Sequence, residues 1–294
     1  MLCGGLSRRM GRPKALLPWF GRTLVEHVVA VLAPCVDEIL VVTSSDLPLA
    51  ALALDAQIVV DRERERGPLA ALRDGLAAAR AELAFVTSSD APFLTSEHVD
   101  RLFEHALAGS RAAAPVADGF LQVLSAVYPC RTWRDADALL AEGRASPAAL
   151  LERIGFVSVE NDAHDGVRAW TGCNTPDEYL ALARHRDPEA TAVVEWRVER
   201  RTAASKGVVS GEPGPIRRTV AIGRLGEVLQ RAAPPGFPIE ARLASGVLRV
   251  LLAEGELAPG VDPGLPIGPG ERVVVQEGPF EGALDPERPS VESR

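Results

Sequence analysis

The sequence predicts an α/β protein. A mostly parallel sheet with helices on both faces is expected over residues 1–190, and a small α+β domain over 191–281. Three observations carry this. Short apolar runs rich in Val and Ile alternate with stretches of helical periodicity through the first part of the chain. Several of those runs end on a polar or acidic residue, as strands do where they reach a ligand-binding edge. Past about residue 190, Pro and Gly become dense and strand-like runs follow one another.

The elements follow in order. EILVVTSS (38–45), QIVVD (57–61) and LAFVTSSD (83–90) are runs of the kind that form buried parallel strands. Between and after them lie helical stretches. TLVEHVVAVLAP (23–34) has apolar residues at helical spacing and stops at Pro34. GPLAALRDGLAAARAE (67–82) carries Pro in its first turn, where a missing N–H costs nothing. TSEHVDRLFEHALAG (95–109) opens on a hydroxyl cap and closes on Gly109, and DEYLALARHR (177–186) begins with acidic residues. In the later part, AVVEWRVE (192–199), RRTVAI (217–222), GVLRVLL (246–252) and ERVVVQE (271–277) read as strands, with one helix at RLGEVLQRAA (224–233). The polar stretch 282–294 reads as a disordered tail.

Composition narrows the function. A net charge of -8 argues against a nucleic-acid partner bound by bulk charge. No apolar run approaches the length of a membrane span and no signal peptide is visible, so a cytoplasmic protein without a membrane partner is expected. Cys3, Cys35, Cys130 and Cys173 are far apart and form no C-x-x-C pair, which argues against structural zinc. The chain has 32 Lys plus Arg, yet only two are lysines, Lys14 and Lys206. Lysine is a compact point charge and arginine a planar fork, so the lysine at 14 carries information.

Lys14 lies in LCGGLSRRMGRPKALL (2–17), where Gly4, Gly5 and Gly11 alternate with Arg8, Arg9 and Arg12. Such a loop between strand and helix lets backbone N–H groups approach phosphate oxygens, with cations to neutralise them. It matches neither G-x-x-x-x-G-K-[ST] nor G-x-G-x-x-G. Asp90, in SSDAPFL (88–94), projects a carboxylate from a strand end, which suits Mg²⁺ held jointly with substrate phosphates. Asp61 closes QIVVD, and Asn174 precedes a helix in GCNTPDEYL (172–180). Each of these also has a plain structural role open to it, as a turn or cap residue.

Together these segments resemble the nucleoside-triphosphate transferase superfamily, whose signature is L-x-G-G-x-S-x-R-M-G-x-x-K-x-L-L. Within it they are most similar to the molybdenum cofactor guanylyltransferases. RGPLAALRDGLAAA resembles that family's G-P-L-A-G segment, SSDAPFL its C-D-x-P-F-L, DGFLQVLSAVYP (118–129) its D-G-x-x-Q-P-L-x-A-L-Y, LLAEGRASPAALLERIG (139–155) its late helical segment, and CNTPDEYL its N-x-N-T-P-E-[DE]-L. The resemblance spans about residues 1–190 and implies a Rossmann-like nucleotidyltransferase fold. Three positions differ from the pattern: Val123 stands in place of proline, Gly172 in place of the first asparagine, and Ser89 before Asp90. The family's first strand, central in its sheet, has several apolar residues before the glycines. Here only Met1, Leu2 and Cys3 precede them, so a further apolar stretch upstream of Met1 is expected.

The resemblance implies GMP transfer from GTP to molybdopterin with release of pyrophosphate. It implies Mg²⁺ as cofactor, held by Asp90, and nucleotide contacts from Leu2, Cys3, Gly4, Gly5, Lys14, Asp61 and Asp90. Lys14, Asp90 and Arg9 would be catalytic, and Gly67, Pro68 and Asn174 would face the pterin substrate. Further partners would be cofactor-assembly proteins or molybdoenzyme chaperones. Gly4-Gly5 favours GTP, since related cytidylyltransferases tend to read L-A-A-G there. RPKALLPW (12–19) is shared with those relatives, so CTP is the alternative, alongside a sugar-phosphate acceptor or a non-catalytic nucleotide-binding role in cofactor assembly. Residues 246–275 resemble, more distantly, the β-grasp sulfur carriers related to the small subunit of molybdopterin synthase. The Gly-Gly terminus that those carriers need is absent from a sequence ending at Arg294.

Overall fold

The computed structural model describes residues 1–4, 9–44, 47, 49, 52–61, 63, 66–109, 111–160, 167–198, 216–233, 239, 248–252, 255–256, 262 and 264–277. Gly5, Arg8 and the stretch 282–294 lie outside the described residues. The chain divides into two compact units. The first holds Met1–Arg8, Arg12–Leu17 and Arg22–Cys173, and the second Arg9–Gly11, Pro18–Gly21 and Asn174–Arg294.

In the first unit, strands β1 (Leu2–Cys3), β2 (Leu40–Thr43) and β3 (Gln57–Val60) form a parallel sheet in that order. A second sheet contains β4 (Leu83–Thr87), β5 (Ala112–Ala117), β6 (Ser125–Pro129) and β7 (Phe156–Val159), in the order β7-β5-β6-β4. Strands β5 and β7 run parallel, and β6 runs antiparallel to both β4 and β5. Leu2 links the sheets. It pairs with Val42 on one side and bridges in parallel to Ser88, just past β4, on the other. The Ser89 N–H donates to the Leu2 carbonyl at 3.1 Å.

The central strands are buried on both faces, and side chains alternate between two cores as the two-residue period of a strand requires. The edge strand β3 differs: Ile58 and Val60 are exposed, so QIVVD is not the buried strand its sequence suggested, because it has a strand neighbour on one side only. Met1, Cys3, Val41, Phe85, Ala113 and Val127 pack with helices α1 (Leu24–Leu32) and α3 (Ser96–Gly109). Val86, Ala112, Ala114, Ala126 and Tyr128 pack with α2 (Pro68–Ala78), α4 (Trp133–Ala141) and α5 (Pro147–Ile154). Helix α1 starts at a capping box: Thr23 Oγ1 accepts from Glu26 N–H, and Glu26 returns the bond to Thr23 N–H at 2.7 Å. Helix α2 stops at Ala78, four residues short of the helical stretch read in the sequence. The Arg80 N–H is taken by Glu38 Oε1 at 2.7 Å, which draws the backbone off the helix and into β4.

The second unit contains α6 (Pro176–Arg186), strands β8 (Thr191–Val198) and β9 (Ile216–Ala221), α7 (Leu225–Ala232), and strands β10 (Leu248–Leu252) and β11 (Arg272–Glu277). Its sheet runs β9-β8-β11-β10, with β8 and β11 parallel and the other pairs antiparallel. Leu225, Val228, Leu229 and Ala232 of α7 form its core with Ala192, Val194, Val250, Val273 and Val275. Glu195 on β8 is fully buried and is neutralised by Arg217 Nε at 2.9 Å and Arg272 Nη2 at 2.6 Å. Charge-assisted pairing of this kind offsets the desolvation of a buried carboxylate. Among the described residues, no helix is long and apolar enough to cross a membrane.

A buried base in the first unit gives stability a pH dependence. His98 Nε2 lies 2.7 Å from Ser125 Oγ, beside the rings of Phe85 and Trp170, and burial pulls its pKa down to about 4. The folded-state value lies below the ordinary one, so the unfolded chain binds more protons between the two and stability rises with pH. The rise spans about pH 4 to 6.5. It amounts to about 3 kcal/mol. Urea titrations from pH 4 to 8 should show this limb, and His98→Gln should flatten it.

Candidate nucleotide site

The strand order places the site. From β1 the chain moves outward through β2 to β3, then returns to β4 on the other side of β1. The order therefore reverses between β1 and β4, and ligands of open α/β sheets bind beyond the carboxyl ends of strands at such a point. The parallel strands put four chain segments on that edge: Gly4 after β1, Ser44 after β2, Asp61 after β3 and Asp90 beyond β4.

Asp90 is only 8% exposed and is held from three sides. Lys14 Nζ donates to Oδ2, forming an ion pair, and Ser88 Oγ donates to Oδ1. On the third side lies Gly172. A Cβ there would sit 3.2 Å from Asp90 Oδ1 and 3.3 Å from its Cγ, tighter than ordinary contact. Lys14 opens the 3-10 turn Lys14–Leu16, which is anchored by buried Ala15 and Leu16. The turn thus fixes the Cα of Lys14, from which the ammonium reaches the carboxylate.

Cys3 is buried, with Ser89 and Thr43 hydrogen bonding to its side chain, and burial pushes its thiol pKa up. A protonated, enclosed thiol is no nucleophile. Gly4 is exposed, and a Cβ there would meet open space. Asp61 N–H donates to Thr43 O at 2.8 Å, and Asp61 Oδ1 accepts from Glu63 N–H at 2.9 Å, closing a local turn at the strand end. Gly67 has φ +80° and ψ −176°, which side chains of L residues rarely adopt. It lets the chain turn sharply into Pro68, the first residue of α2.

The structure brings Lys14 and Asp90 into contact and puts Leu2, Cys3, Gly4 and Asp61 on strands or strand ends of the same edge. Gly67 and Pro68 lie at the start of α2 in that unit. Arg9 and Asn174 belong to the second unit and are both exposed, with Asn174 N–H donating to Glu178 Oε2 at 2.6 Å ahead of α6. Sequence reasoning missed two members of the Asp90 cluster. Ser88 had a local signal, a hydroxyl two residues before the carboxylate. Gly172 had none, because its proximity to Asp90 arises only from the fold.

The Lys14–Asp90 pair is largely removed from water, so deleting one partner strands the other. Lys14→Met and Asp90→Asn should each cost about 1–3 kcal/mol of folding stability. The double variant should cost less than the sum by about 1 kcal/mol or more. Chemical denaturation of the four proteins checks this.

Residues 1–157 match the model of a MobA-like NTP transferase domain. A probable molybdenum cofactor guanylyltransferase of Bacillus mycoides is 30% identical over 185 residues, covering 61% of this chain and 92% of the relative. A molybdenum cofactor guanylyltransferase of Ectopseudomonas mendocina is 31% identical over 189 residues, covering 64% and 92%. Among solved structures, the molybdopterin-guanine dinucleotide biosynthesis protein A of Archaeoglobus fulgidus matches with a TM-score of 0.52 at 22% identity, covering 64% of this chain and 95% of that one. These matches and the sheet-edge geometry lead to one conclusion: the chain belongs to the MobA-like NTP transferase family.

Proposed function

We propose that this protein transfers GMP from GTP to molybdopterin in the cytoplasm, forming molybdopterin guanine dinucleotide and releasing pyrophosphate. The carrying observation is the Lys14–Asp90 pair at the point where strand order reverses, within a chain whose relatives bear the guanylyltransferase name. An oxygen of the molybdopterin phosphate attacks the α-phosphorus of GTP. The bond from that phosphorus to the oxygen bridging to the β-phosphate breaks, and its electron pair leaves with pyrophosphate. No covalent enzyme intermediate is needed, so positioning and charge neutralisation carry the catalysis.

Lys14 exchanges its ion pair with Asp90 for the nucleotide phosphates, supplying a point charge where negative charge builds up. Leu2, Cys3 and Gly4 border the guanine, and the open space beside Gly4 leaves room for a base. Asp61 contacts the nucleotide, and Gly67 and Pro68 contact the pterin. The chemistry of Asp90, a hard carboxylate beyond the end of β4, suits Mg²⁺. Mg²⁺ is commonly held by one or two carboxylates with substrate phosphates and water. Bound through Asp90, it would neutralise phosphate charge.

Calorimetric titration with GTP and CTP, each with and without Mg²⁺, tests the reading. GTP should bind at least about tenfold tighter than CTP, a gap of about 1.4 kcal/mol. Tighter CTP binding would reassign the nucleotide, and binding of neither would remove the enzyme reading. In turnover with molybdopterin, Lys14→Ala should lower kcat/KM by about 100-fold or more. Wild-type turnover by that variant would end the assignment of Lys14.

A further inference from the structure

A hydrogen-bond network in the first unit runs from helix α2 to the segment that follows β3. Arg73, in the second turn of α2, is its centre. Its side chain is 14% exposed, and each guanidinium nitrogen meets a carboxylate. Nη2 donates to Glu63 Oε1 at 3.0 Å, Nη1 to Asp137 Oδ1 of α4 at 3.1 Å, and Nε to Asp74 Oδ1 at 2.9 Å. Glu63 also accepts from Arg66 Nη1 at 2.5 Å, and Arg66 Nη2 donates to Leu140 O of α4 at 2.7 Å. Hydrogen bonds from Arg66 and Arg73 hold the Glu63 carboxyl below the usual carboxylate range.

Glu63 acts on Asp61 through its main chain. The Glu63 N–H donates to Asp61 Oδ1 at 2.9 Å, while Asp61 N–H donates to Thr43 O at 2.8 Å. The backbone of Asp61 is therefore tied to β2, and the direction of its carboxylate is set by Glu63. Glu63 in turn is held at its side-chain end by the two arginines. Exposed ion pairs contribute little, because water screens them and long side chains must be ordered. Arg73 differs in being mostly withdrawn from water. Its planar fork also serves carboxylates of three segments at once, which the single ammonium of a lysine cannot match.

Two arginines face three carboxylates in this network. Without Arg73, Glu63, Asp74 and Asp137 would repel one another about the one arginine left. Asp74 and Asp137 are fixed on helices, so Glu63, outside any helix, is the group able to move away. Packing of α2 on α4 does not need the Glu63 arm, since Leu72 and Leu76 already share a buried core with Ala136 and Leu139. The consequence of that arm lies at Asp61.

We propose that Arg73 is a positioning residue for Asp61. It holds Glu63 in place, and the Glu63 N–H aims the Asp61 carboxylate, at the carboxyl end of β3, in the orientation that meets the nucleotide. The nucleotide contact rests on the GTP reading above, whereas control of Glu63 and Asp61 by Arg73 stands apart from it. A carboxylate set in advance need not be ordered when the ligand arrives, so its loss weakens binding.

Amide exchange at Glu63 in the full chain, without nucleotide, tests the positioning. Arg73→Gln should speed it by about tenfold or more and leave Leu72 and Leu76, in the core of α2, protected. Glu63→Gln, which alters no helix, should do the same. Asp137→Asn removes a partner of Arg73 but keeps the Glu63 arm, and should leave that exchange within about twofold of wild type. Calorimetry with GTP reads the consequence. Arg73→Gln should weaken binding by about tenfold. In an Asp61→Asn background the same substitution should weaken it by less than about twofold, because Arg73 acts through Asp61. A role in folding alone would give equal losses in both backgrounds and would overturn the proposal. Unchanged Glu63 exchange in both Arg73→Gln and Glu63→Gln would overturn it as well. Failure of the wild-type protein to bind GTP would instead overturn the nucleotide reading, and with it the contact at Asp61, whatever the exchange shows.

Discussion

The backbone of Leu2 is the constraint on which the first unit depends. It is the residue that pairs with β2 on one side and with the Ser88 segment on the other. Every strand that carries a site residue is positioned relative to that junction. Gly4 leaves the sheet two residues after Leu2, and Asp90 lies two residues after Ser88. Parallel pairing then brings both segments out on the same edge. A backbone ladder is a demanding joint, because a slip of one residue would exchange the two cores that Leu2 and Cys3 face. Burial of Met1 and Cys3 on one face and Leu2 on the other opposes that slip.

The same junction explains where the site lies. A crevice opens wherever strand order reverses, since neighbouring connections depart to opposite sides. At the carboxyl end that crevice carries Gly4, Lys14 and Asp90. At the amino end it is lined by apolar helix faces, among them Leu72 and Leu76 of α2 and Phe103 and Leu107 of α3. The Glu38–Arg80 contact, which ends α2 early, lies at that amino end.

Much of this was legible in the sequence because it rests on local patterns. The Val- and Ile-rich runs became β2, β3 and β4. The helices opening at Thr23, Ser96 and Pro176 fell within a residue or two of their sequence-derived bounds, since caps and prolines are local signals. Strands β5 and β6 were missed. AAAPVA is Ala-rich and SAVYP is only five residues long, both contain proline, and burial of both strands along almost their whole length sets a state that such short signals leave open. The antiparallel direction of β6 was likewise invisible, because direction depends on which neighbours a strand finds. Lys14 and Asp90 stood out by residue type and setting, but their contact spans 76 positions and belongs to the fold.

Gly172 shows how a sequence difference changes meaning once distances are known. Against the related pattern it is a lost asparagine and thus a lost polar contact. In the structure it is the residue whose missing side chain leaves space for the Asp90 carboxylate, with the would-be Cβ 3.2 Å from Oδ1. A larger residue there would push on a group already fixed by Lys14 and Ser88, and one of those contacts would have to yield. The Lys14 Cα is anchored through its 3-10 turn and Ser88 through its bridge to Leu2, so the carboxylate is the part with least freedom to move away. The glycine at 172 and the closed form of the Asp90 cluster are therefore one structural choice. It sets how far the carboxylate can turn away from Lys14 and Ser88.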